Sequence, residues 1–355
     1  MNKREGIPTF VQIDRMNMTE KKHTPLASLG QFGLIDRLVG NFDPQNASTL
    51  TGAGDDAAVV MPPDGEAVLC TTDLLLEGVD FDLTYFPLKH LGYKAVTVGV
   101  SDVLAMNARP RQFMLSLGVS SKFSVEALEA LYEGVAFACR ELEVDLVGGD
   151  TRASVTGLVL GTTAIGYAPR EKVVRRSGAQ LNDLVCITGN LGAAYMGMRL
   201  LEREKRVLEG VEDPRPQFEG YEYLLEKYLR PRARLDIVEA LAEEGIVPTA
   251  MIDLSDGLAS DIRHIMERSG VGAAIDIGRI PLAQGADVET AACGGEDYKL
   301  LLTADAAAAD RLAVDFRARF GTPLHPVGRI TDSGKLEWLE NDRPRALDWH
   351  GFTHY

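Results

Sequence analysis

Cysteine is scarce. The chain has four in 355 residues, and Cys70, Cys139, Cys186 and Cys293 lie too far apart for any CxxC pair. That spacing excludes a zinc site or a disulfide framework. Their apolar neighbours predict four small buried hydrophobes in a reduced protein. No apolar run approaches the ~18 residues of a membrane span, and the opening MNKREGIPTF has no apolar export core. The expected location is therefore the cytoplasm. Positive charge is also in deficit, with 37 Lys and Arg against 52 Asp and Glu, a net charge of −15. Proteins that grip nucleic acid or an anionic membrane carry the opposite balance. Small anionic substrates remain open, because an acidic protein can hold phosphate through a metal ion.

Several catalytic signatures are missing too. There is no GxxxxGK[ST] P-loop, no HRD or DFG set and no strand followed by GxGxxG. Neither a GxSxG elbow nor an HExxH cluster occurs. A nucleotide enzyme on this chain must use another scaffold.

What is present is ordinary globular material, 45% hydrophobic and 25% charged. The length suits two domains or one large one. Residues 1–27 read as a flexible leader, with Met18 as an alternative start. Helical spacing of Leu29, Ile35, Leu38 and Val39 predicts a helix from Ser28. Mixed strands and helices then run to Tyr167, and a charged, turn-rich break follows at 169–178. We therefore expect an α/β chain of mixed α+β type with domains at 28–168 and 169–355. The charged stretch 202–234 reads as a solvated helical excursion with a surface loop.

The distinctive feature is where the acids sit. Five segments set Asp or Glu beside Gly, Ser or Thr: Gly54-Asp55-Asp56, Thr71-Thr72-Asp73, Gly148-Gly149-Asp150, Asp253-Leu254-Ser255-Asp256 and Gly294-Gly295-Glu296-Asp297. Most follow a strand candidate, which predicts loops at strand ends, where α/β folds gather ligands. Asp102 adds a sixth acid on a predicted helix. Hard cations take carboxylate and hydroxyl oxygens and keep phosphate oxygens as further ligands. Each segment alone is more often a turn or a helix cap. Their recurrence in both halves is what points to a metal–nucleotide site, because gathered carboxylates without cations repel.

GDDAAV, TTDLLLEGVDF, YKAVTVGVSDVLAM, LVGGDT, RSGA, IDLSDGL, GGEDY and LDWHGF occur in this order. Together they resemble the thiamine-monophosphate kinase family, within the aminoimidazole ribonucleotide synthetase and selenophosphate synthetase superfamily. The resemblance implies a two-domain synthetase-like fold whose N-terminal domains pair strands across a homodimer. It implies ATP-dependent phosphorylation of thiamine monophosphate with several Mg²⁺ ions. The metal positions it implies are Asp56, Thr71, Thr72, Asp73, Asp102, Asp150, Asp253 and Asp256. Tyr132, Gly149, Asp150, Arg176 and Ser255 match nucleotide positions. Asp80, Glu296 and Trp349 match substrate positions, Trp349 as a flat ring for a cationic thiazolium.

Two departures stand out. The family's EGVHF appears as Glu77-Gly78-Val79-Asp80-Phe81, so an aspartate replaces a histidine that meets substrate phosphate. The family's VNLSD appears as Val98-Gly99-Val100-Ser101-Asp102. The implied reaction is direct in-line transfer resting on Asp73, Asp102, Asp150 and Arg176, with no phosphoenzyme. Competing readings are another synthetase of the superfamily, or a non-catalytic nucleotide sensor. The near-complete acid set speaks against the sensor.

Overall fold

The computed structural model describes residues 24–52, 58–211, 216–320 and 324–352. Met18, Asp55 and Asp56 lie outside the described residues, as does most of the expected leader. The leader's end is tied down, since Thr24 donates from N and Oγ1 to the Glu126 carboxylate at 3.0 and 2.6 Å.

The first half runs α1 (Gly30–Val39), β1 (Thr49–Thr51), β2 (Val59–Val60), β3 (Glu66–Leu76), α2 (Leu88–Ala105), β4 (Arg109–Val119), α3 (Val125–Glu141), β5 (Asp145–Ala153) and β6 (Val159–Pro169). Its main sheet has the order β3-β6-β4-β5. Only β4 and β5 are parallel within it. Helices α2 and α3 cover one face. They can pack closely because glycine stands at each crossing point. A Cβ on Gly92 would lie 1.9 Å from the Leu131 carbonyl oxygen, and one on Gly134 1.8 Å from that of Lys89. The other face is open. Val68 and Leu74 point there from β3, 51% and 59% exposed, and Cys70 is exposed beside them. Of the four thiols expected to be buried, Cys139 and Cys186 are, Cys293 is half-buried and Cys70 is exposed. Its apolar neighbours are a strand's alternation, with every second residue turned outward.

The second half runs β7 (Leu184–Ile187), α4 (Ala193–Leu208), α5 (Glu222–Leu229), α6 (Leu235–Glu243), β8 (Ala250–Asp253), α7 (Leu258–Ser269), β9 (Gly272–Asp276), α8 (Val288–Cys293), β10 (Leu300–Ala304), α9 (Ala306–Phe320), β11 (His325–Thr331), β12 (Leu336–Glu340) and β13 (Arg343–Arg345). Its sheet has the order β13-β12-β9-β11-β7-β10-β8. Strand β10 shows how the two faces divide. Leu300 and Leu302 join the core shared with the first half, while Leu301 joins the core under α7. The charged excursion is less solvated than expected, because α5 buries Leu224, Leu225, Tyr228 and Leu229. Among the described residues, no helix is long and apolar enough to cross a membrane.

Two acid segments differ from the expected loops. Thr71, Thr72 and Asp73 lie inside β3, and Gly148 to Asp150 lie inside β5. Polar residues in an otherwise apolar run read as a strand's end, yet the two-residue alternation continues through both. Thr71 and Asp73 consequently share the helix-covered face, while Thr72 faces the open side.

Candidate active site

Helix α2 joins the two halves. Lys94, Thr97 and Ser101 recur at the i, i+3, i+7 spacing of one helical face, and all three are buried. Each meets the second half. Lys94 Nζ lies 2.6 Å from Glu296 Oε2. Thr97 Oγ1 donates to the Pro231 carbonyl at 3.2 Å, and Ser101 Oγ donates to Asp253 Oδ2 at 2.6 Å. The next residue, Asp102, turns to β3, where Thr71 Oγ1 donates to its Oδ2 at 2.5 Å.

Asp73, Asp102 and Asp253 are thus drawn close enough for their charges to act on one another. Burial, and then the charge of Asp102, push the Asp73 carboxyl up to about 6. Burial and Asp102 also hold Asp253 well above the usual carboxylate range, with Ser101 and Arg176 opposing. Asp73 Oδ2 is buried without a hydrogen-bond partner. So is Thr162 Oγ1 on β6, directly across from Asp73 in register. Unpaired buried oxygens beside repelling carboxylates are costly, and a hard cation fits that donor set. Among the described residues, however, no three acid, His or Cys side chains form a ready-made metal cage.

Beside these acids is a cavity of about 400 Å³. Arg175, Arg176 and Arg268 share it with Thr71, Asp102 and Ser177, and Val103, Met106, Met251 and Ile252 supply apolar wall. Three guanidinium groups sharing a wall with a hydroxyl and a carboxylate suit a polyanion with an apolar flank.

The AIR synthase related protein models match twice, the N-terminal domain over residues 54–168 and the C-terminal domain over 182–338. Thiamine-monophosphate kinase of Salmonella typhimurium is 31% identical over 92% of this chain and 98% of its own. The chain belongs to the thiamine-monophosphate kinase family. The thiamine-monophosphate kinase crystal structure from Stenotrophomonas maltophilia superposes with a TM-score of 0.75, at 32% identity over 89% of this chain and 98% of that one. AaThiL complexed with AMPPCP and TMP superposes at 0.70, with 29% identity over 94% and 100%. The fold is therefore the expected two-part synthetase-like one, and the chain is a kinase.

The site residues expected from the resemblance do not all converge within the chain. Thr71, Asp73, Asp102, Arg176 and Asp253 do. Asp256 and Ser255 adjoin them on the loop between β8 and α7, and the Ser255 carbonyl accepts the Glu296 N–H at 2.7 Å. The C-terminal segment crosses the same loop, with Phe352 N donating to the Asp256 carbonyl at 2.9 Å. Trp349 is half-buried, its ring edge-on to Trp338 at 5.1 Å, so it packs a core edge. Thr72 donates to the Thr162 carbonyl at 2.7 Å, away from the cluster. Asp150 lies on the outer strand β5, exposed and paired with Arg152 at 3.0 Å. Three strand spacings, about 14 Å, separate β5 from β3. Gly149 pairs with Leu115 there, where a Cβ would lie 1.9 Å from the Leu115 carbonyl. Tyr132 is buried edge-on to Phe42 at 6.1 Å, and burial pushes its phenol up to about 12. Asp80 Oδ2 accepts the Leu76 N–H at 2.7 Å and closes its own turn. At the VGVSD departure, a Cβ on Gly99 would meet Phe113 and Thr162 at 3.0 Å, so both occupy the space an asparagine would need.

Three neighbours escaped the sequence reading. Arg175 precedes Arg176 in the RRSGA motif, and that doublet was a usable signal. Arg268 sits in the last turn of α7, where a cation is ordinary helix chemistry. Asp261 is buried in α7 and accepts the Gly257 N–H at 3.1 Å. Burial, then Asp253 and Asp256, push its carboxyl well up.

Proposed function

We propose that the protein transfers the γ-phosphoryl group of ATP to thiamine monophosphate, giving thiamine diphosphate, the last step in making that cofactor. The observation that carries this reading is the meeting of Asp73, Asp102 and Asp253 beside a three-arginine cavity. In it, the arginines bind and orient the nucleotide phosphates. A terminal oxygen of the substrate phosphate, already ionised near neutral pH, attacks in line, and no strong base is required. Thr71, Asp73, Asp102, Asp253 and Asp256 would hold Mg²⁺, with Asp56 as a further ligand. Bound Mg²⁺ supplies charge neutralisation for the phosphates. The chain's own contribution is positioning and exclusion of water. Glu296 accepts from the pyrimidine side, and Trp349 flanks the thiazolium.

A cytoplasmic homodimer completes this reading, each chain built of domains 28–168 and 169–355. Thr72, Gly149 and Asp150 belong to β3 and β5, the edge strands of the open-faced sheet, and Val68 and Leu74 leave that face apolar. A second copy covering that face buries them and brings Asp150 toward a site it cannot reach within its own chain. The test incubates the protein with ATP, Mg²⁺ and thiamine monophosphate and follows thiamine diphosphate. ATP bound with no product formed would favour a nucleotide sensor.

A further inference from the structure

Lys94 is the least exposed charged side chain of the described protein, at 0%. An ammonium so placed has to be matched by its surroundings. Its surroundings are specific. The Glu296 carboxylate lies 2.6 Å away, the Tyr228 ring centroid 4.5 Å and the Phe86 centroid 5.4 Å. The contact with Glu296 is an ion pair outside hydrogen-bonding geometry. Glu296 itself is held at its other end. Its φ of 64° puts it in the left-handed region, and its N–H donates to the Ser255 carbonyl at 2.7 Å. Its Oε2 is buried against Lys94, yet the side chain is 27% exposed. The accessible part is therefore the other side of the carboxylate, and among the described residues no donor reaches Oε1.

We infer that Lys94 is a positioning residue for the substrate: it pins Glu296 Oε2 so that Oε1 faces the ligand as an acceptor of fixed direction. This rests on the reading of Glu296 as the carboxylate that meets the aminopyrimidine. It adds a link between the two sides of the site, because Lys94 shares its helix face with Ser101, which holds Asp253. Seven residues at 1.5 Å separate them by about 10 Å. One rigid helix thus sets the spacing between the pyrimidine acceptor and the acid cluster.

The test measures binding of thiamine monophosphate and of a non-hydrolysable ATP analogue to the full-length protein by calorimetry, alongside KM for each substrate. Lys94→Met should weaken thiamine monophosphate about tenfold and leave the ATP analogue within about twofold. Lys94→Arg should recover most of the loss. Lys94→Met combined with Glu296→Gln should bind no more weakly than Glu296→Gln alone, because both act through one contact. That neutral pair also guards against misfolding of Lys94→Met, since it leaves no unmatched buried charge. A wild-type protein that binds no thiamine monophosphate overturns the reading and this proposal with it. Wild-type binding that Lys94→Met leaves unchanged, equal losses for both ligands, or additive losses in the double variant overturn the proposal alone.

Discussion

Asp145 and Asp253 are both aspartates buried to the same degree, 3% and 4% exposed. Asp145 opens β5 and is saturated with donors. Gln45 N, Asn46 N and Thr49 Oγ1 reach it at 2.6, 3.0 and 2.7 Å. Asp253 closes β8 with a single side-chain donor, Ser101, and with Asp102 and Asp73 acting against its charge. The first carboxylate anchors a loop to a sheet and is fully used in doing so. The second is left short of partners beside others of its own sign. Burial alone does not mark a functional acid. Burial with unmet bonding capacity does.

Asp73→Asn removes the acid with the most unmet bonding capacity and should have the largest effect. Turnover should fall about 10³-fold or more, roughly 4 kcal/mol of transition-state stabilisation. Stability should move the other way. The Asp73 carboxyl sits at about 6 when folded against 3.8 for its ordinary value. Asp73 therefore costs the wild-type protein stability as pH rises from about 4 through 6, and the asparagine variant lacks that share of the loss. With a chelator present, Asp73→Asn should be about 3 kcal/mol more stable at pH 7.5 and no more stable than wild type at pH 4. Urea melts at the two pH values read this directly. A variant less stable at both would make Asp73 a structural acid like Asp145.

Asp145→Ala should do the reverse. Removing a carboxylate with three donors leaves buried N–H and O–H groups unmatched, at a cost of about 3 kcal/mol. Turnover of the protein that remains folded should stay within about threefold of wild type. A large loss of turnover in folded protein would show that the 45–49 loop reaches the site.

Much of this was legible in the sequence, because the motifs fix local chemistry. DLSDG follows a buried strand and opens α7, as read. The facing of side chains was less legible. TTD and GGDT look like strand ends because polar residues interrupt apolar runs, but both continue as strand. That continuation sends Thr72 and Asp150 to the face away from Asp73. Lys94 was invisible for a different reason. A lysine in a helix is usually solvated, and only the tertiary arrangement of Phe86, Tyr228 and Glu296 buries it.

Arg268 asks whether the cavity beside the acids acts as a unit. It comes from the last turn of α7 and shares the cavity wall with Arg175 and Arg176. Arg268→Ala should raise KM for ATP about fivefold, near 1 kcal/mol, because an exposed charge at a rim is partly screened. KM for thiamine monophosphate should not change. At high salt the difference from wild type should shrink, and a salt-independent effect would point to lost packing.

The smallest effect falls on the residue with the smallest contrast. Asp80 resembles Asp145 in accepting from backbone, since its Oδ2 takes the Leu76 N–H at 2.7 Å. Yet its turn also walls a cavity of about 350 Å³ through Gly78, Val79, Phe81 and Asp82, so it stands at the border between anchor and site. Asp80→His sets two effects against each other. The imidazole removes a negative charge that would repel substrate phosphate, which should lower KM for thiamine monophosphate about twofold to threefold. It also gives up the acceptor that closes the turn, at about 1 kcal/mol of stability. Steady-state kinetics and a thermal melt on the same variant separate the two. A higher KM with unchanged stability would mean that the Asp80 carboxylate serves the ligand, and that its bond to Leu76 is incidental.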